Sequence, residues 1–348
     1  MLKHAKKRAA QATSRVFIFG AGVSASCGIA VTKDLLRECI KKLTARDGGE
    51  GKEIHRLLRY FYKSFDPKLR NYPNIEDFLN LLEVAKIFNE DAFQQSDYWS
   101  PRKLDEAEGS LIKAICRYIW AAQRKEQNLR KLKQFVKENL RPLDVVITFN
   151  WDLTVELTLQ RNGSGSIYSY SGSSEDDGDR ILLLKPHGSV NWYEFPPPGP
   201  LSFRHSFEDL YEIYYFPAEK WNAIAPPLKP LPVIVPPISR KDFDFPPLSE
   251  TWRKVYRALR NATRIDVLGY SLPREDQFAR FVLRRALRNN ILSGERSEKL
   301  PLEFHVVNPD PDVEATFYRL VGNLGGRFRF HQAYFEDVAV KFAQISTL

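Results

Sequence analysis

The sequence predicts an α/β fold: a Rossmann-like, doubly wound parallel sheet with a helical insertion domain and no zinc ribbon. Three observations predict it. A short apolar run ending in glycine opens the chain's first clear pattern. Strand-like and helical runs alternate after residue 141, which is the signature of a parallel sheet. The stretch between is almost wholly helical in period. These divide the chain into residues 1–44 as the first part of the core, 45–140 as the insertion and 141–348 as the rest of the core.

Residues 15–20, Arg-Val-Phe-Ile-Phe-Gly, read as a buried strand, with a helix from Ser24 to Leu43 after it. In the insertion, helical periods run over His55–Ser64, Ile75–Phe88 and Leu104–Asn139, punctuated by Pro67, Pro73 and Pro101. Val145–Thr148 is the next strand and Trp151–Gln160 the next helix. Asn162–Asp179, rich in Gly, Ser and Asp, reads as a mobile loop, and Ile181–Leu184 as another buried strand. Pro196–Pro247 holds prolines and aromatics without period and reads as an irregular cover, with a short strand at Val233–Val235. Three helix–strand pairs follow: Thr251–Ala262 with Ile265–Leu268, Glu275–Asn289 with Glu303–Val307, and Val313–Val321 with Arg327–Phe330. A last helix starts near Phe335.

Composition narrows the function classes. No apolar run approaches the roughly 18–20 residues a membrane span needs. The basic Met1–Ala12 segment lacks the apolar stretch of a secretion signal. A cytoplasmic protein without a membrane partner is expected. Cys27, Cys39 and Cys116 are the only cysteines and form no C-x-x-C pair, so neither a zinc site nor a disulfide is expected. The net charge is +9. Its densest groups are Lys3–Arg8, Arg124–Lys133 and Arg284–Arg288. The last two fall in helical patterns, where a charge run is ordinarily a solvated face, so nucleic acid enters as an indirect partner only.

Five polar or glycine-rich turns fall at the ends of five strands. Gly20-Ala21-Gly22-Val23-Ser24 joins a strand to a helix, and such a turn lets backbone N–H groups approach a phosphate. The next glycine, Gly28, stands too far along for the dehydrogenase G-x-G-x-x-G. Thr148-Phe149-Asn150-Trp151-Asp152 ends the second core strand, and one of Asn150 and Asp152 is expected to cap the following helix. Lys185-Pro186-His187-Gly188 places a histidine suited to proton transfer past a strand. Gly269-Tyr270-Ser271-Leu272-Pro273 and Asn308-Pro309-Asp310 complete the set. In an open parallel sheet, ligands bind at these carboxyl ends.

Together these motifs resemble the sirtuin family. Gly20-Ala21-Gly22-Val23-Ser24, followed by Gly28-Ile29, is similar to its NAD-phosphate loop. Thr148 to Asp152 resembles its Thr-Gln-Asn-x-Asp, His187-Gly188 its catalytic His-Gly pair and Gly269-Tyr270-Ser271 its Gly-Thr-Ser. Asn308 sits where that family contacts the adenosine ribose. Asn74 to Leu79, Pro236-Pro237 and Gly269 to Pro273 resemble the bacterial sirtuin-like proteins of phage defence, which hydrolyse NAD. The departures point the same way: no zinc ribbon, Phe149 in place of Gln, and Ala30 to Asp34 in place of the expected Asp-Phe-Arg.

The resemblance implies Asn150 and His187 as catalytic residues. It implies Gly20, Ala21, Gly22, Ser24, Asp152, Gly269, Ser271 and Asn308 as NAD-binding residues, with NAD as substrate and no metal. It further implies an NAD+ hydrolase yielding nicotinamide and ADP-ribose, an effector of anti-phage defence controlled by a separate protein or by oligomerisation. Aromatic residues at Tyr60–Phe65 and Tyr98–Trp99 allow a homo-oligomer surface, and core packing accounts for them equally well. The alternatives are an NAD-dependent protein deacylase and a non-catalytic NAD-binding scaffold or sensor.

Overall fold

The computed structural model describes residues 15–46, 49–89, 100–160, 168–169, 180–193, 203–207, 211–215, 231–235, 246–296 and 301–342. It opens with strand β1 (Arg15–Phe19) and helix α1 (Ala21–Ser26). Helices α2 (Thr32–Arg46), α3 (Gly49–Phe61), α4 (Ile75–Asn89), α5 (Pro101–Gln123) and α6 (Arg130–Asn139) follow, with a 3-10 turn at Glu126–Leu129. Then come β2 (Val145–Thr148), α7 (Thr154–Gln160), β3 (Tyr168–Ser169), β4 (Ile181–Leu184), β5 (Trp192–Tyr193), β6 (Phe203–Phe207) and β7 (Tyr211–Tyr215). The chain continues through α8 (Pro246–Asn261), β8 (Arg264–Leu268), α9 (Gln277–Arg296), β9 (Glu303–Val307), α10 (Asp312–Val321), β10 (Phe328–His331) and α11 (Phe335–Val338).

Seven strands form one sheet in the order β10-β9-β8-β1-β2-β4-β3. Every pair in it is parallel. β1 is central, with β2 on one side and β8 on the other, so the strand order reverses there. This is the Rossmann-like, doubly wound arrangement, and its switch point lies at the carboxyl ends of β1, β2 and β8. Strand alternation assigns the two faces. Phe17 and Phe19 join the core under the helices that follow β1, while Val16 and Ile18 join the core under α8, α9 and α10. Phe135 of α6 packs edge-on against Phe17 and Phe19 at 5.9 and 6.0 Å. A fully buried phenylalanine contributes about 1.5–3 kcal/mol. The helices between β1 and β2 therefore share one hydrophobic core with the sheet.

Five expectations are corrected. The helix expected over Ser24–Leu43 is two helices. Gly28 adopts φ +80° and the Ile29 amide turns back to the Ser24 carbonyl, closing α1. The helix expected over Leu104–Asn139 breaks after Gln123, where Lys125 is extended (ψ 102°) before the 3-10 turn. The run Arg124 to Asn128 consists of residues at home on a helix, but carries no apolar side chain to dock it. β3 lies within the expected loop at 162–179, and β6 and β7 within the expected irregular cover. These two strands pair antiparallel with each other, and β7 also pairs antiparallel with β5, making a second sheet of three strands. The surrounding prolines hid their short aromatic runs. The strand at Val233–Val235 reduces to a single bridge between Ile234 and Gly188. The Tyr98–Trp99 pair and the rest of 162–179 and 196–247 lie largely outside the described residues. No helix among those described is long and apolar enough to cross a membrane.

Candidate functional site

The loops after β1 and β8 meet at the switch point through glycine. The Gly20 amide donates to the Leu268 carbonyl (3.0 Å) and the Gly22 amide to the Gly269 carbonyl (2.9 Å). A Cβ on Gly269, which holds φ +61°, would lie 2.7 Å from Gly22 Cα, and one on Gly20 only 2.4 Å from Tyr270 Cα. These are backbone contacts that no side chain can yield to. Gly22 thus seats one loop on the other, and its amide is committed to that seam.

Asn150 follows β2 and reaches across to β1. Its Nδ2 donates to the Gly20 carbonyl (2.8 Å) and to Ser24 Oγ (2.7 Å). A carbonyl only accepts, so the amide nitrogen must face Gly20 and Asn150 Oδ1 must face away. Ser24 Oγ in turn donates to Asp152 Oδ2. The other Asp152 oxygen accepts from the Thr154 amide (3.0 Å) and hydroxyl, so Asp152 is the residue that caps α7. Beneath this chain lies a fully buried ion pair, Lys185 Nζ to Glu156 Oε1 at 2.8 Å. Lys185 also donates to the Asp152 carbonyl. Burial pushes the Glu156 carboxyl up, against the pull of Lys185. Gln123, at the end of α5, accepts from the Leu153 amide (3.1 Å), tying the insertion to this loop.

His187 follows β4. Its carbonyl accepts from the Val235 amide (2.9 Å), while the Ser189 amide bonds the Val233 carbonyl (2.8 Å), so segment 231–235 clamps the turn. Its Nε2 lies 2.8 Å from Oδ2 of Asp276, a residue with no solvent exposure. Asp276 also caps α9 by accepting from the Ala279 amide (3.1 Å). Phe149 packs edge-on against the His187 ring (5.0 Å) and stacks on Tyr270 (4.3 Å).

These groups face one half-open cleft of about 100 Å³, lined by Ala21, Ser24, Asn150, Asp152, His187, Gly269 and Ser271 among others. Drug-sized ligand pockets usually span about 300–1,000 Å³, so in this conformation the cleft has room for a ring-sized group. Gly20 and Gly22, expected at the phosphate loop, do not line it. Asn308 stands apart: it is buried, and its side chain accepts from the Asp310 amide (3.0 Å). Sequence reasoning missed Asp276, Glu76 and the Lys185–Glu156 pair. Glu76 reaches the cleft from α4 of the insertion. The hexapeptide Asn74 to Leu79 was its only sequence signal. Trp151 and Tyr270 also line the cleft, and Trp151 Nε1 and the Tyr270 hydroxyl are buried without a partner among the described residues. An unmet buried donor costs about 1–3 kcal/mol, which a ligand bearing acceptors would relieve. Burial, with Asp276 and Glu76 nearby, pushes the Tyr270 phenol well up, so it stays a donor. No group of His, Cys, Asp and Glu among the described residues is placed to hold a metal.

Fold and site together define a Rossmann-like α/β protein with a polar, partly closed cleft at its switch point. No family model matches the chain, and no curated protein does. Among solved structures it is similar to a Sir2 homologue mutant in complex with 2'-O-acetyl ADP ribose, at 14% identity and TM-score 0.43, over 100% of this chain and 97% of that one. It is also similar to Sir2Tm bound to a propionylated peptide (14%, TM-score 0.37, 100% and 99% covered). A third is Sir2 with a p53 peptide and NAD+ (14%, TM-score 0.35, 99% and 97% covered).

Proposed function

We propose that the cleft hydrolyses NAD+ between nicotinamide and ribose, giving nicotinamide, ADP-ribose and a proton. The observation that carries this reading is the convergence of Asn150 and His187 on one cleft, each held by a buried carboxylate-anchored network. Nicotinamide leaves from NAD+ as a neutral molecule, so no strong acid is required. The transition state is oxocarbenium-like, and the task is to position ribose and water. Asn150 Oδ1 is the acceptor that would orient the water or a ribose hydroxyl. His187 would take the proton, with the Asp276 carboxylate stabilising the imidazolium that forms. Ser24 fixes the Asn150 and Asp152 side chains, and Asp152 lines the end of the cleft that would take the carboxamide. Ala21, Gly22, Ser271 and Asn308 belong to the adenosine-diphosphate side of the same reading. In a cell the reaction would deplete NAD, which suits a cytoplasmic defence effector controlled by a partner or by oligomerisation.

The test is product identification by chromatography and mass spectrometry, with and without an acyl-lysine peptide. Equimolar nicotinamide and ADP-ribose are expected without peptide, and about 10²–10⁴-fold less from His187→Ala or Asn150→Ala. Acyl-ADP-ribose formed only with peptide, or tight NAD binding without turnover, would refute it.

A further inference from the structure

Helices α8 and α9 lie side by side on the sheet face opposite the insertion. Trp252 packs edge-on against Phe278 at 4.8 Å, and Asn290 Nδ2 bonds the Leu259 and Ala262 carbonyls. Their inward edges are apolar: Val255 and Leu259 from α8, Leu283 and Leu287 from α9. Their outward faces carry arginine. On α8, Arg253, Arg257 and Arg260 recur at the spacing of one helix stripe. On α9, Arg284, Arg285 and Arg288 follow Phe281 at i+3, i+4 and i+7, so those four also share one face. All seven side chains are exposed.

Some exposed helix charges elsewhere in the molecule are matched. Asp34–Arg37 and Glu38–Lys41 pair on α2, and Arg102–Glu106 on α5. On this face acids are scarce. From Gln277 to Gly294 there is no Asp or Glu, and on α8 the single acid, Glu250, bonds Arg253. Arg257, Arg284, Arg285 and Arg288 form no ion pair among the described residues. In their midst the Phe281 ring is 57% exposed. A merely solvated face gains nothing from a bare phenyl ring, and like charges at i and i+4 repel. The cluster therefore fits a polyanion that also offers a flat apolar surface. A phosphate backbone with unstacked bases has both: phosphates for the guanidinium forks and a base to lie on the ring.

We propose that the arginine face of α8 and α9, with Phe281 at its centre, binds single-stranded nucleic acid. The backbone runs over Arg257, Arg284, Arg285 and Arg288, and one base stacks on Phe281. A duplex keeps its bases stacked and offers Phe281 nothing. The surface lies across the sheet from the insertion and does not depend on the NAD reading.

The test is fluorescence anisotropy of the full chain with a labelled pyrimidine oligonucleotide of about 20 nucleotides, as single strand and as duplex, across 50–200 mM salt. Each phosphate neutralised on a single strand contributes about −0.7 to the slope of log K against log salt, so four arginines predict about −3. Arg284→Gln with Arg285→Gln and Arg288→Gln should bring it near −1. If that triple variant melts early, Arg288→Gln alone should lower the slope by about 0.7. Phe281→Ala should weaken single-strand binding about 5- to 150-fold and leave heparin binding unchanged. No binding at 50 mM salt, equal affinity for duplex, or an unchanged slope in the arginine variants overturns the proposal. So does the same loss from Lys131→Glu with Lys137→Glu on α6, or a parallel loss of heparin and oligonucleotide in Phe281→Ala.

Discussion

Replacing Lys185 by methionine tests the foundation of the site. The methionine keeps much of the length and removes the charge. Lys185 and Glu156 have no solvent exposure, and their 2.8 Å contact is the direct compensation for a carboxylate sealed in the core. Removing one partner of a buried pair leaves the other uncompensated and costs about 3–5 kcal/mol, a large fraction of the roughly 5–15 kcal/mol that holds a typical domain together. The sign of the pH dependence follows from Glu156. Burial already raises its carboxyl above 4.5, and Lys185 is what opposes that rise. Without the lysine the rise grows. A group whose folded pKa is raised contributes stability that is complete below the unfolded value and is lost as pH climbs through the folded one. The variant should therefore lie closest to the parent near pH 4.5 and fall behind steadily toward pH 8. Urea unfolding at pH 5 and pH 8 reads this directly. Adding Glu156→Gln removes the stranded charge and should recover most of the loss at pH 8. A loss below about 1 kcal/mol, a loss equal at both pH values, or a double variant no better than the single one would refute the reasoning. The Lys185 bond to the Asp152 carbonyl adds a functional consequence, since Asp152 holds Ser24 and through it Asn150.

Three further expectations follow from the same geometry. Asp276→Asn keeps an oxygen to cap α9 but removes the charge beside His187, so the fold should persist while NAD turnover falls at least about tenfold. Its pH–rate profile should also shift to lower pH; an unchanged profile would mean that Asp276 is only a cap. Gly269→Ala forces a Cβ to 2.7 Å from Gly22 Cα at φ +61°, so a loss of more than about 2 kcal/mol is expected in thermal or urea unfolding. His305 is pushed down to about 4, chiefly by burial and against the pull of Asp266. Its contribution should be present above pH 6.5 and disappear as pH falls toward 4, a few kcal/mol at most. His305→Gln should flatten that limb of the stability–pH curve, and an unaltered limb would show that other groups set it.

The strands that carry the site were legible because each is a local object. Val145–Thr148, Ile181–Leu184 and Glu303–Val307 are short apolar runs bounded by breakers, and their limits agree with those read from sequence. Helix ends were less legible, as at Gly28 and Gln123, because a break is decided by what the turn packs against. Gly28 sits against the Asn128 side chain, far along the chain. Pairing was not legible at all. Nothing near His187 in sequence announces Asp276, and nothing near Lys185 announces Glu156.

By itself, then, the sequence determined the alternation of strand and helix, the glycine turn after β1 and the placing of Asn150 and His187 at strand ends. Periodicity, chain stiffness and turn chemistry act over a few residues, and these features need nothing more. Only the tertiary structure decided that Gly22 meets Gly269 backbone to backbone, that Ser24 links Asn150 to Asp152, and that Glu76 of the insertion reaches the cleft. Those contacts join residues tens to hundreds of positions apart. They exist because sheet order β8-β1-β2-β4 brings four strand ends together, and burial there favours pairing of polar groups, with Trp151 Nε1 and the Tyr270 hydroxyl as the exceptions.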